Sequence, residues 1–287
     1  MPYAEAQGAR IYYEETGAGG SPAAPILFIH EFAGDYRSWR DQVRYFGRGR
    51  RCITWSARGY PMSDAPADEK LYGQDFFNRD AIAVLDAAGI DKAHVVGLSM
   101  GGYTALMLAA RHPDRVVSCV AAAAGSGALK ATREQFIAES RAQADAFEKA
   151  GRIDAEAYGL SRTRVQLQVK DPIAWRAFVE NLAEHSAHAA AATLRTIQAG
   201  RASLYDLESE LSAIAAPVLL MLGDEDEPCL DVNLWMKRLL PNARLAVLPG
   251  SGHAINLEEP ALFNALVAQF LADVERGSWR PRDPRAR

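Results

Sequence analysis

The sequence predicts an α/β fold, a mostly parallel sheet covered by helices. Three observations point to it. Short apolar, β-branched segments alternate with helix-periodic ones along the chain. A glycine-rich turn at 97–102 joins one such strand directly to a helix. The 287 residues are also enough for one core plus a sizeable insertion.

The run Pro25–Ile29 is short, wholly apolar and followed by polar and glycine residues, as a strand buried on both faces should be. Segments 52–55, 94–96, 116–122, 217–222 and 244–248 read the same way. Between them, Ala81, Val84, Leu85 and Ala88 fall at i, i+3, i+4 and i+7, one face of a helix. Tyr103 to Arg111 forms another, with Tyr103, Leu106, Met107 and Ala110 on one side. Phe263, Leu266, Val267, Phe270, Leu271 and Val274 make a C-terminal amphipathic helix. These stripes are core packing and carry no chemistry.

From about Gly127 to Leu211 the alternation stops. Alanine-rich, charge-studded segments are punctuated by Gly151, Asp171-Pro172 and Gly200, and strand patterning resumes at Pro217. The expected organisation is a core over 1–126 and 213–276, a helical insertion over 127–212, and a flexible basic tail over 277–287. An insertion at the carboxyl edge of such a sheet is placed to roof a pocket. The alternative is a bundle that only extends the core. Residues 276–287 carry five arginines against one aspartate, which reads as a solvated terminus, with anion binding as the alternative.

Composition narrows the function classes. The chain is 49% hydrophobic and 24% charged with a net charge of −4, ordinary for a globular protein and without the basic footprint of nucleic-acid binders. No apolar run approaches the roughly 18–20 residues that span a bilayer. The opening Met-Pro-Tyr-Ala-Glu has neither the basic nor the apolar region of a secretion signal. Cys52, Cys119 and Cys229 are an odd, scattered set, expected as free thiols in the cytoplasm.

The sharpest chemical signal is Gly97-Leu98-Ser99-Met100-Gly101-Gly102, between a strand and a helix. Such a tight turn leaves little room for side chains, hence glycines on both sides of the serine. It thrusts Ser99 out at a helix N-terminus, where free N–H groups and the helix dipole favour developing negative charge. A serine hydroxyl needs an adjacent base. His253, in the loop Pro249–His253 after the last strand, is the candidate. His185 and His188 read as surface residues of the insertion, His112 as a helix-end residue, and His94 as a packed strand residue. The base needs an acid to fix its tautomer. Gly223–Pro228 follows a strand and offers four carboxylates; Asp226 is best placed and Asp224 is the alternative. Oxyanion donors should be the backbone N–H groups of Met100 and of Phe32, the latter in the loop after the strand 25–29.

In these features the chain resembles the α/β-hydrolase superfamily, capped branch, from about Ile11 to Leu271. The order Ser99, Asp226, His253 agrees, as does Arg58-Gly59-Tyr60-Pro61-Met62-Ser63, whose counterpart in that family shapes loops beside the site. The elbow is similar to those of carboxylesterases, enol-lactone hydrolases and C–C bond hydrolases. Serine rather than aspartate at the elbow argues against dehalogenase or epoxide-hydrolase chemistry. Two positions depart from the pattern. Pro61 stands where glycine is usual, which stiffens the loop. Glu31 follows His30 where the family usually has glycine. A carboxylate 4 Å from an oxyanion would oppose it by about 4 kcal/mol at an effective dielectric of about 20, so Glu31 should point away or pair with an arginine.

The expected activity is hydrolysis of a small carboxylic ester or lactone through an acyl-enzyme on Ser99. A C–C bond hydrolase, thioesterase, acyltransferase or cofactor-free peroxidase on the same triad is the alternative, and a ligand-sensing signalling protein a further one. No cofactor is expected, and no metal, since neither His-x-x-x-His nor paired-cysteine spacing occurs. Candidate substrate contacts are Glu31, Trp55, Tyr60 and Trp175, with Phe136 and Phe178 adding apolar surface; core packing is the alternative for the aromatic residues. Arg162 and Arg164 could meet a substrate carboxylate but read more simply as surface charge. The expected partner is a small molecule, with neither nucleic acid nor membrane, and the chain a monomer or homodimer.

Overall fold

The computed structural model describes residues 2–17, 20–283 and 285. Eight strands form one sheet: β1 (Tyr3–Ala6), β2 (Ala9–Thr16), β3 (Ile26–Ile29), β4 (Cys52–Trp55), β5 (Ala93–Leu98), β6 (Val116–Ala122), β7 (Val218–Gly223) and β8 (Ala243–Leu248). Their spatial order is β1-β2-β4-β3-β5-β6-β7-β8. β2 runs antiparallel to both its neighbours, and the remaining pairs are parallel. The helices are α1 (Arg40–Phe46), α2 (Gln74–Ala87), α3 (Met100–Arg111), α4 (Arg133–Ala150), α5 (Ala155–Gly159), α6 (Val165–Lys170), α7 (Pro172–Ala183), α8 (Ala187–Thr193), α9 (Glu208–Ser212), α10 (Glu227–Leu239), α11 (Ile255–Glu258) and α12 (Pro260–Glu275).

The period-2 geometry of the strands divides the core in two. Leu27, Ile29, Val95, Cys119, Ala121 and Leu220 face one layer, which includes Ala81 and Leu85 of α2 and Leu106 of α3. Ile26, Phe28, Val96, Leu98, Val120 and Met221 face the other, with Trp39, Phe46 of α1 and Phe263, Val267 and Phe270 of α12. Central strands buried on both faces must be apolar throughout, and β3 is fully buried along its length.

The antiparallel hairpin β1–β2 is the part of the sheet the periodicity missed. At the edge, Glu5, Arg10 and Glu14 interrupt the apolar pattern, and the pairing Tyr3 to Tyr12 does the work instead.

Between β6 and β7 the chain is helical, and its punctuating residues are helix termini. Gly151 ends α4 in the left-handed region at φ 64°. Asp171 accepts from the N–H groups of Ile173 and Ala174 to start α7, with Pro172 in the first turn. The segment meets the loops that follow the carboxyl ends of the strands. Arg164 reaches Glu31 after β3, Tyr60 after β4 lies against His185, and Lys170 donates to Ser251 after β8.

The basic tail is less free than its composition suggests. Trp279 packs edge-on to Phe270 at 4.6 Å, donates from Nε1 to the carbonyl of Asn242, and carries the Arg244 guanidinium over its ring. Positions 284, 286 and 287 of the tail lie outside the described residues, as does Met1 of the opening segment. No helix among the described residues is long and apolar enough to cross a membrane.

Candidate active site

β5 runs through Gly97 and Leu98 into Ser99, and α3 starts at Met100. Ser99 has φ 55° and ψ −111°, a region that non-glycine residues rarely occupy. Its backbone is held by donating to the carbonyl of Ala122 at 2.7 Å and accepting from Tyr103 N–H at 2.9 Å. The flanking glycines are a steric requirement. A Cβ at Gly97 would lie 2.1 Å from the carbonyl oxygen of Gly101, and one at Gly101 would lie 2.0 Å from that of Ile29. The turn therefore closes only without side chains there, and the strain falls on the residue whose hydroxyl it presents.

His253 lies after β8 and donates from Nδ1 to Asp226 Oδ2 at 2.8 Å. Both side chains are buried. A carboxylate can only accept, so Nδ1 carries the proton of this bond, which in the neutral ring leaves the lone pair on Nε2. Burial alone would raise the Asp226 carboxyl. The charge and hydrogen bond of His253, helped by Cys229 and Arg162, outweigh it and hold the group below its ordinary value. Asp224 serves differently: its Oδ1 accepts from Ser251 N–H at 3.0 Å, and Glu225 N–H donates to the Ser251 carbonyl at 2.9 Å. The loops after β7 and β8 are thus laced together, and of the four carboxylates at 224–227 it is Asp226 that bonds the histidine.

Met100 is the first residue of α3, where a helix leaves N–H groups without intrahelical acceptors. Phe32 sits in the loop after β3. Neither N–H donates to another residue among the described hydrogen bonds. That loop is held by His30, whose Nδ1–H donates to the Glu31 carbonyl at 2.7 Å while Nε2 accepts from Ala57 N–H at 3.0 Å. One donor and one acceptor suit a neutral ring, and burial lowers the His30 pKa accordingly.

Glu31 turns into the protein and pairs with Arg164, Oε1 to Nη2 at 3.3 Å, both side chains about 1% exposed. Arg164 is therefore no surface charge; its guanidinium lies 4.7 Å from the Phe178 ring. His185 is likewise buried rather than superficial, 3.3 Å from Asp35, which Arg37 also holds at 2.7 Å. Glu31 thus pairs with an arginine, one of the two placements expected of it. That the arginine is Arg164, and that His185 meets Asp35, escaped sequence reasoning because each contact joins the insertion to the loop after β3 across more than a hundred residues. The signal available was the presence of Glu31 and Asp35 in an otherwise apolar loop, since buried carboxylates need cations.

The nominated aromatic contacts fare differently. Trp55 is fully buried, 5.2 Å from Phe77, and packs the core. Trp175 donates from Nε1 to the Gly159 carbonyl at 2.7 Å and braces the insertion from inside. Neither is placed as a substrate contact, because strand-end and helix-face positions pointed them inward. Tyr60 is buried with its ring 4.5 Å from His30. Phe136 and Arg162 line a 560 Å³ cavity beside Glu227 and Ser126, next to the acid loop. Phe178 borders a smaller groove of 170 Å³ behind Gly34 and Ser38.

Asp226, Cys229 and His253 offer three donor atoms within 4.8 Å of one another. Their chemistry suits a hydrogen-bonded cluster better than a metal. The Asp226 oxygen and His253 Nδ1 already bond each other, and burial pushes the Cys229 thiol well above its ordinary value, so it stays protonated. The other two cysteines are also buried and free.

Comparison with known proteins agrees with this fold. The chain is 26% identical over 271 residues to 3-oxoadipate enol-lactonase 1 of Acinetobacter baylyi, covering 94% of this chain and 96% of that one. It is 28% identical over 282 residues to 2-hydroxymuconate semialdehyde hydrolase of Pseudomonas sp. strain CF600, covering 94% and 93%. The solved enol-lactonase of Burkholderia xenovorans superposes with a TM-score of 0.81 at 22% identity, covering 94% of this chain and 100% of that one. The sequence model for the alpha/beta hydrolase fold matches residues 24–260, and the chain belongs to that family of hydrolases.

Proposed function

We propose that the protein is a serine hydrolase that cleaves a small carboxylic ester or lactone through Ser99, His253 and Asp226. The observation that carries this reading is the Nδ1–Oδ2 bond of 2.8 Å between His253 and Asp226, in a chain that strains Ser99 at a strand-to-helix turn. Ser99 Oγ attacks the carbonyl carbon as His253 Nε2 takes its proton. The N–H groups of Met100 and Phe32 hold the oxyanion, and Asp226 stabilises the imidazolium. His253 then gives the proton to the leaving alcohol oxygen. Water, deprotonated by the same nitrogen, releases the acid and frees Ser99.

The likeness to an enol-lactonase supports an ester or lactone bond. The similar likeness to a semialdehyde hydrolase favours a second reading, C–C bond cleavage on the same triad. Initial rates on p-nitrophenyl esters of increasing acyl length, on lactones and on a vinylogous diketone separate the two. Ester or lactone turnover that Ser99→Ala abolishes supports the first reading. Turnover of the diketone alone supports the second, and wild-type ester rates in Ser99→Ala overturn both.

A further inference from the structure

The catalytic histidine stands on a loop, and loops do not by themselves hold a ring to the tolerance catalysis needs. The backbone around His253 is gripped by one side chain. Gly252 N–H donates to Glu258 Oε2 at 2.6 Å, and Ala254 N–H donates to Glu258 Oε1 at 2.9 Å. The grip is closed by Glu258 N–H, which donates to the Ala254 carbonyl at 2.9 Å. Glu258 is itself 5% exposed and ends α11, so its carboxylate cannot swing away without leaving two N–H groups unsatisfied. Gly252 leaves room for it; a Cβ there would come within 3.3 Å of Oε1.

From these contacts we infer that Glu258 is a positioning residue of the proposed hydrolase, a carboxylate clamp that straddles His253 and sets its ring between Asp226 and Ser99. This rests on the triad reading. Both oxygens are needed, one for each N–H group. Both oxygens bond the backbone of the His253 loop, so the clamp should govern the rate of proton transfer to His253 and leave substrate affinity alone. A displacement of the base of about 1 Å costs on the order of 100-fold in rate. Burial raises the Glu258 carboxyl, while the two N–H donors and the charges of Arg164 and Lys170 oppose that shift. The insertion thus reaches the clamp as well as the base loop, where Lys170 Nζ lies 3.1 Å from Ser251 Oγ.

Glu258→Gln tests the clamp with little change of shape, because an amide offers one acceptor and confronts the second N–H with a donor. The readouts are the second-order rate of Ser99 labelling by a fluorophosphonate, kcat per labelled site, and KM. The expected result is a fall of about 10- to 100-fold in labelling rate and kcat with KM within about twofold, and a larger fall in Glu258→Ala. A residue that only stabilises the fold would lower the melting temperature and leave the rate per folded molecule unchanged. Wild-type labelling rates in folded Glu258→Gln would therefore overturn the inference, whether or not Glu258→Ala folds. Absence of labelling in the wild type would instead refute the triad, and the clamp would fall with it.

Discussion

Replacing Arg164 with Met leaves the Glu31 carboxylate, about 1% exposed in the wild type, with Ser38 Oγ, at 3.5 Å, as its one side-chain partner among the described residues. At the observed 3.3 Å the pair attracts by about 5 kcal/mol at an effective dielectric of about 20. Much of that attraction offsets the desolvation of two ions, so the pair's net contribution is small, whereas removal of one partner leaves the other's desolvation uncompensated. Methionine keeps most of the apolar stem against Phe178, so packing loss is minor. Arg164→Met should therefore lower unfolding free energy by about 3–5 kcal/mol, and Glu31→Gln with Arg164→Met together should recover to within about 2 kcal/mol of wild type. Urea denaturation followed by tryptophan fluorescence measures all members of the cycle. A cost below about 1 kcal/mol for Arg164→Met, with additive effects, would refute the claim that a buried ion pair fastens the insertion to the loop after β3.

Three further outcomes are expected. Asp226→Asn should lower kcat by about 10³–10⁴-fold, because asparagine no longer selects the tautomer with a free Nε2. Asp224→Asn keeps an oxygen for Ser251 N–H and should stay within about tenfold; the reverse order would reassign the acid. His94 is buried between Ser118 and Glu275 and its pKa is lowered to about 4 from 6.5, chiefly by desolvation. The unfolded chain binds a proton there more readily than the folded one, so stability present above pH 6.5 is lost as pH falls toward 4, by about 3 kcal/mol in all. Denaturation midpoints measured across that window should fall steeply in wild type and less steeply in His94→Gln; parallel curves would contradict it.

What could be read from the sequence was local. The elbow is legible because its glycines flank Ser99 within six residues and Gly97 answers to a steric limit set by Gly101, although Gly101 itself is held against the distant Ile29 carbonyl. Asp226 and His253 are legible because each follows an apolar strand in the loop where an α/β sheet places its chemistry. Strands β4 and β6 match their apolar runs residue for residue, while β1 and β2 stayed hidden because charged residues interrupt the hairpin they form at the sheet's edge. The insertion's grip on the core was illegible for another reason. Arg164 and His185 sit in turns between the insertion's helices, with no pattern of their own, and their burial depends on partners, Glu31 and Asp35, more than a hundred residues away. Trp279 shows the same limit at the tail, where composition described the neighbours and not the ring. Glu258, four residues beyond Ala254, had the spacing of a local helix contact, yet nothing in sequence said that its carboxylate would turn back around His253.

The central claim is that Ser99 becomes acylated. Brief mixing of the protein with a p-nitrophenyl ester, acid quenching and peptide mass mapping tests it directly. The expected result is the acyl mass on the peptide bearing Ser99, increased in Asp226→Asn if deacylation slows more than acylation, and absent in Ser99→Ala together with turnover. An acyl group on another residue, or hydrolysis undiminished in Ser99→Ala, would contradict it.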